Sequence, residues 1–445
     1  MFIKYLIIIL CSFIFAFTIF ILMKRNNKNI VDCNYNYISL ILIAIFSILF
    51  PICYFLSIIG FNNNELYIKY FLDFQEFELF YYYFIIFIVS HTFLFVLRKK
   101  SINLNSIGKI ENKSFKYNKR IKITAVIMLI IGFVSNYLYL KAYGSYSNYL
   151  QYSGLIRSGI LTVNNPFSFL MPLRNCINFS SLLFFSLIVN KKSKKTDILF
   201  FLISFIFSIL VLYSNKGRLS FVFYFFSIFL FYIFKKNKTN VINLKSIAKI
   251  SFLIILLFIG LIISGNIMQR NSMNSIILEI NEEISFIFLN FKVMLSKGIT
   301  LENYRMFKDV LYMPMYFLPS SIWSSKFGII TCDQINTKIW TGFYKGENGI
   351  TGTIPIDFIS FSYIQMGLIG IFIVPTIYAF FCSKILDIIN KVNDENNFKM
   401  IYSYVLTNIV LVSFFYADPY HIISGCYSFI LFIIIYNVIR LFKIE

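Results

Sequence analysis

The sequence predicts an all-α fold: a polytopic bundle of helices integral to a membrane. Three observations lead there. Hydrophobic residues make up 58% of the 445 and charged residues only 14%, where an ordinary soluble domain carries about 25% charged residues. Apolar runs of about 20 residues, the length that crosses a bilayer core of roughly 30 Å, recur along the whole chain. The connections between those runs alternate between strongly basic and mixed composition.

Taken in order, the apolar runs lie near 2–23, 38–60, 79–97, 121–140, 168–189, 197–213, 218–234, 248–265, 357–383, 400–416 and 421–439, giving about 11 transmembrane helices. The first run is too long for a signal-peptide core, precedes its basic cluster and lacks a small-x-small cleavage site, so it is expected to be retained. The runs divide the chain into three parts. Residues 1–265 form an N-terminal membrane region of about eight spans, 266–356 a large extracytoplasmic loop with amphipathic and re-entrant segments, and 357–445 a C-terminal membrane region of about three spans.

Loop charge sets the expected orientation, because Lys and Arg accumulate on the cytoplasmic side. The connections KRNNKN, RKKSINLNSIGKIENKSFKYNKRIK, NKKSKKTD, KKNKTNVINLKSIAK and SKILDIINKVNDENNFK hold most of the excess of 41 Lys and Arg over 20 Asp and Glu. Placing them inside puts the N-terminus and the long loop outside and the C-terminus inside, in a cytoplasmic (inner) membrane. The net charge of +21 is then a topological signal, and nucleic acid is not an expected partner. None of the seven cysteines forms a CxxC pair, so neither a disulfide framework nor a zinc site is implied.

Several stretches stand out for chemistry. Tyr143, Tyr146, Tyr149 and Tyr152 fall three apart, near one helical face, where they can stack on sugar rings or anchor in the membrane interface. Arg174 stands just inside the next apolar run, near Pro166 and Pro172. The five-residue turn SNKGR joins two apolar helices on the outer side and carries Lys216 and Arg218 around Gly217, a small anion cradle. Arg270 follows the helix that opens the long loop.

Within that loop, SIILEINEEISFIFLNFKVML reads as an amphipathic helix on the membrane or against the bundle. VLYMPMYFLPSSIW, broken by Pro314 and Pro319, is too short to span. Trp323 and Trp340 read as interfacial anchors. Asp357 begins the re-entry helix, where an acid opposes the positive helix end. In the turn ADPYH, Asp418 and His421 are three apart and can couple as acid and base, while Asp418 followed by Pro419 also reads as a helix cap. No P-loop, HExxH or GxSxG motif is present.

The stretch GTIPIDFISFSYIQMGLIGIF, with its small residues, acid, aromatic helix and G-L-I-G pair, resembles the last outer-loop boundary of bacterial O-antigen polymerases of the Wzy type and of their relatives the O-antigen ligases. The plan of eleven or twelve helices with one large outer loop is similar too, SNKGR resembles the family's arginine-bearing turn, and LPSSIWSSK its proline-containing segment ending in a lysine, here Lys326. Ser320 stands where the family pattern has an arginine, and the re-entry stretch lacks the histidine of the ligases, which favours a polymerase.

The resemblance implies a membrane glycosyltransferase that passes a growing glycan from undecaprenyl diphosphate onto the next lipid-linked repeat unit. Its implied partners are that oligosaccharide lipid, the bilayer, a chain-length regulator and a flippase, with no cofactor and no metal. Arg218, Arg270 and Arg174, with Lys216, would bind the diphosphate, since guanidinium forks donate two hydrogen bonds at once and stay charged. Asp357 would orient or deprotonate the acceptor, with Lys326, Tyr149 and His421 contacting substrate. The alternatives are ligase-type transfer and a lipid-linked oligosaccharide flippase. A flippase would place charges along cavity-facing helices in two matching halves, and neither is visible.

Overall fold

The structure is a computed structural model describing residues 4, 6, 8–14, 49–101 without 61 and 63, 114–157, 165–189, 194–215, part of 220–231, 276–297, 304–391 without 319, 325 and 351, and 400–442 without 402, 403, 406 and 407. Among the described residues it is all helical, with no strand. The helices used below are α1 (Leu49–Ile58), α2 (Glu65–Leu72), α3 (Glu76–Ser101), α4 (Ser114–Lys141), α5 (Tyr146–Arg157), α6 (Ser168–Val189), α7 (Lys195–Ser214), α8 (Ile276–Lys297), α9 (Cys332–Thr341), α10 (Phe358–Met366), α11 (Leu368–Lys391) and α12 (Pro419–Leu441).

Among the described residues four segments are long and apolar enough to cross a membrane: Lys119–Lys141 within α4, together with α6, α7 and α12. At about 1.5 Å per residue each reaches roughly 30 Å or more. Ile130 and Val134 on α4, Leu199, Leu202 and Ile206 on α7, and Ile434 on α12 are exposed. An outward apolar face of that kind suits lipid and would be costly in water.

These four helices share one core. Ile121, Ala125 and Met128 of α4 meet Cys176, Ile177 and Phe179 of α6 and Phe432 and Tyr436 of α12. Direction follows from the pairings. Lys122 pairs with Asp197 and bonds Thr196 at 3.1 Å, so α4 and α7 start together. Arg174, near the start of α6, bonds Asn136 and Ser214, near the ends of α4 and α7. Cys176 lies against Ser428 and Phe179 against Phe432, so α12 runs parallel to α6. The starts of α6 and α12 therefore share one end of the bundle, hereafter the Arg174 end.

A second core is aromatic. Phe50 and Tyr54 of α1, Phe71 of α2, Tyr82 of α3 and Phe288 and Phe291 of α8 pack together, and α9, α10 and α11 add Trp340, Phe358, Phe361 and Ile371. The expected amphipathic helix is α8, packed on the bundle through Phe288, Leu289 and Met294. Its Lys292 pairs with Glu78 of α3, and its Asn281 bonds Ser57 of α1 at 2.9 Å.

Two sequence expectations change here. The run 357–383, read as one span, is two helices that break at Gly367, whose φ of 60° and ψ of −137° leave the helical region. The nine residues of α10 reach only about 13 Å. Trp323 and Trp340, read as surface anchors, are buried. Trp340 packs edge-on to Tyr67 and Tyr70 and donates its indole N–H to Asn290 at 2.8 Å.

Candidate functional site

Two clusters of polar side chains lie at the Arg174 end. The first forms where α6 is interrupted. Pro172 starts a single helical turn, Met171–Arg174, that stops at Asn175 before the helix resumes at Cys176. The step turns Arg174 between α4 and α7, where it is fully buried. Its Nε donates to Asn136 at 2.9 Å, one terminal nitrogen to Ser214 at 2.8 Å and the other to the Tyr149 hydroxyl at 3.3 Å. The Tyr139 and Tyr149 ring centroids lie 4.6 and 5.3 Å from the guanidinium carbon, close enough for cation–π attraction.

All of these partners are neutral, and among the described residues no carboxylate pairs with Arg174. An unneutralised buried cation costs several kcal/mol even after relaxation. Three of the five guanidinium N–H groups are used by the described residues, which leaves two without a partner among them.

Arg174 and Tyr149 are thus brought together. Tyr149 is buried against Tyr143, 4.9 Å between centroids, so it presents hydroxyl to arginine and no open face to a sugar. Tyr146 holds α5 to α7 through a 2.9 Å bond to the Leu210 carbonyl, and Tyr152 is exposed. Lys216, Arg218 and Arg270 lie outside the described residues; Lys216 and Arg218 follow Ser214 in sequence by two and four positions.

Asp357 is 3% exposed. One carboxylate oxygen caps α10, accepting from the Ile359 and Ser360 N–H groups at 3.0 and 3.1 Å, and the other accepts from Asn290 at 3.1 Å. Asn290 in turn accepts from Trp340 and Asn336. Both oxygens of Asp357 are occupied in joining α8, α9 and α10. Lys326 is exposed in the turn after Ser320–Trp323.

The second cluster surrounds the start of α12. Asp418 is its cap, accepting from Tyr420 N–H at 2.9 Å, with Pro419 at the first helical position. The expected Asp418–His421 couple is replaced by a longer-range one: His421 Nε2 lies 2.6 Å from Asp333 on α9, 88 residues away. The other Asp333 oxygen accepts from Ile356 N–H at 2.9 Å, and Asp333 N–H donates to Asp418 at 3.0 Å. Ala417 N–H completes the junction, donating to the Ile356 carbonyl at 2.8 Å.

Complete burial, with Asp333 beside it, pushes the Asp418 carboxyl up to about 7. Tyr316 packs edge-on to Trp323 and Tyr420 behind the cap. Nearby, Arg305 grips Asp309, which also accepts from Gln365 of α10 at 3.0 Å.

Asp333 and Asn290 were missed in the sequence. The Thr331/Gln334 capping box does mark the start of α9, and an acid in a first turn reads as a dipole partner. Nothing in spacing links residue 333 to residue 421.

Compared with protein-family models, curated proteins and solved structures, the chain matches none significantly. The chemistry of the site therefore rests on its own geometry: a buried cation with no counter-charge among the described residues, and a partly open imidazole held by a closed carboxylate.

Proposed function

We propose that this protein is a membrane glycosyltransferase that polymerises undecaprenyl-diphosphate-linked oligosaccharide repeat units on the outer face of the cytoplasmic membrane. In this reading the chain has about 11 spans, the N-terminus and the loop 266–356 are outside and the C-terminus is inside. The growing glycan leaves its lipid diphosphate and joins a hydroxyl of the next unit. The bilayer supplies the substrate, and a flippase and a chain-length regulator act alongside.

The observation that carries the proposal is Arg174, fully buried, held by neutral groups and unpaired with any acid among the described residues. A protein that buries a guanidinium without a counter-charge places a fixed cation where an anionic ligand can complete it. Ser214, one of its partners, leads directly into the turn bearing Lys216 and Arg218. Those two, with Arg270, extend the diphosphate site in this reading.

The test is the length of the surface glycan at matched amounts of membrane-inserted protein. Arg218→Ala is expected to leave single, unpolymerised units, losing about 10² to 10³ in turnover, the usual cost of one preorganised donor. Arg218→Lys, which keeps charge and loses the fork, falls between. Wild-type chain lengths in Arg218→Ala would remove this residue from the diphosphate site.

A further inference from the structure

We infer that His421 takes the proton of the acceptor hydroxyl and that Asp333 positions its imidazole for that step. The inference rests on the glycosyl-transfer reading above and names a group which that reading leaves open.

His421 side-chain exposure is 33% and that of Asp333 is 4%, so one member of the pair is reachable and the other is not. Asp333 cannot swing, because its second oxygen is held by Ile356 N–H. An Nε2–H donated to a fixed carboxylate leaves the lone pair on Nδ1, the atom that would meet substrate. Nδ1 has no hydrogen-bond partner among the described residues. The groups around the ring are Asp333 from α9, Asp418 and Tyr420 from the start of α12, and Tyr416 just before it, with Asp309 behind Asp418.

A purely structural tether would not need this imidazole. Three other bonds already tie α9, the 354–357 segment and the start of α12: Asp333 N–H to Asp418, Ile356 N–H to Asp333, and Ala417 N–H to the Ile356 carbonyl. The histidine adds a titratable group to a junction whose backbone N–H bonds are made without it. It also lies at the end that holds Arg174, seven residues or roughly 10 Å along α12 from Ser428, which touches Cys176.

The step balances with no further reagent. The acceptor oxygen forms its bond to the anomeric carbon of the donor sugar while its proton passes to His421 Nδ1. The bond from that carbon to the diphosphate breaks, and its electron pair leaves on undecaprenyl diphosphate. The imidazolium, steadied by Asp333, then returns its proton to water.

The experiment uses the purified full-length protein in liposomes with lipid-linked repeat units extracted from the cells that make them. Undecaprenyl diphosphate is the binding probe. His421→Ala and His421→Gln are expected to lose about 10² to 10⁴ in turnover while binding the probe within about twofold of wild type, since a general base adds to the chemical step and not to ground-state binding. Added imidazole should restore part of the rate to His421→Ala.

Asp333→Asn should move the acidic limb of the pH–rate profile to lower pH, because an imidazolium without its carboxylate gives up its proton more readily. Wild-type turnover in either His421 variant would overturn the inference while leaving the polymerase reading in place. Lost activity with no imidazole rescue and an unmoved limb in Asp333→Asn would also overturn it, in favour of a structural role. A wild-type protein that polymerises nothing from the extract would sink the reading and the inference together.

Discussion

The two clusters at the Arg174 end handle buried charge in opposite ways. Around Arg174 a cation is enclosed by an asparagine, a serine and tyrosines, all from residues 136–214, and no acid answers it among the described residues. Around His421, two acids and a histidine from residues 333–421 answer one another and take in backbone N–H groups as well. Among the described residues the first cluster leaves its cation without a counter-charge, whereas the second pairs its carboxylates and exposes an imidazole. A site that must hold an anion suits the first arrangement, and a site that must move a proton suits the second.

The comparison collapses if the clusters do not face the same compartment. Cysteines placed singly at Ser147, beside the Arg174 cage, and at Ser324, beside the His421 junction, in a background without the native seven, should both react with an impermeant thiol reagent in intact cells. Thr196, at the opposite end beside Lys122, should not. Opposite labelling of Ser147 and Ser324 would separate the clusters.

The next effect concerns Arg174 itself. Arg174→Met keeps volume and removes a charge that lacks a partner, so it is expected to cost about 10² to 10³ in polymer formation. Melting in detergent should stay the same or rise, because replacing buried charge by well-packed apolar groups is often neutral or stabilising. A fall in both would mean that the arginine serves the fold.

A smaller contrast separates Asp357 from either cluster. Asp357→Asn retains a capping side chain, and polymer yield should stay within a few-fold of wild type. Asp357→Ala removes the cap and leaves Asn290 short of an acceptor, costing about 1–3 kcal/mol, visible as a lower melting temperature. Loss of polymer in Asp357→Asn with an unchanged melting temperature would instead make it a participant in the reaction.

The smallest effect is in pH. With its carboxyl pushed up to about 7, folded Asp418 holds its proton more tightly than the unfolded chain, whose aspartates titrate near 4. Its contribution to stability is therefore full below about pH 4 and declines as pH rises towards 7. Asp418→Asn should flatten that part of the stability profile, read from melting temperature between pH 4 and 7.

Much of the fold was legible because hydropathy and capping are local. The apolar runs at 121–140, 168–189, 197–213 and 421–439 fall on the four helices that are long and apolar enough to span among the described residues, and the Asp418–Pro419 signal marks the start of α12. The run at 357–383 misled because hydropathy does not register a backbone turn, and only Gly367 hinted at one. Arg174 was legible as a cation at a helix mouth. Its enclosure by Asn136, Tyr149 and Ser214 was not, since it depends on the packing of α4, α5 and α7. The Asp333–His421 pair was illegible for the same reason in stronger form, being made by two segments with no shared periodicity.

The elbow between α10 and α11 has a consequence for biogenesis. A Cβ at Gly370 would fall 2.1 Å from the Ser362 carbonyl oxygen, so the two helices fold back closely at a glycine that no other residue can replace without shifting backbone. At nine residues, α10 is too short to partition into lipid on its own hydrophobicity, and it carries Gln365 and Asp357, whose partners are Asp309 and Asn290. Those partners are translated earlier. α10 is therefore held in place by those earlier segments and not by lipid. The junction of α9, α10 and α12 uses Asp418, so it closes only after the start of α12 has been made.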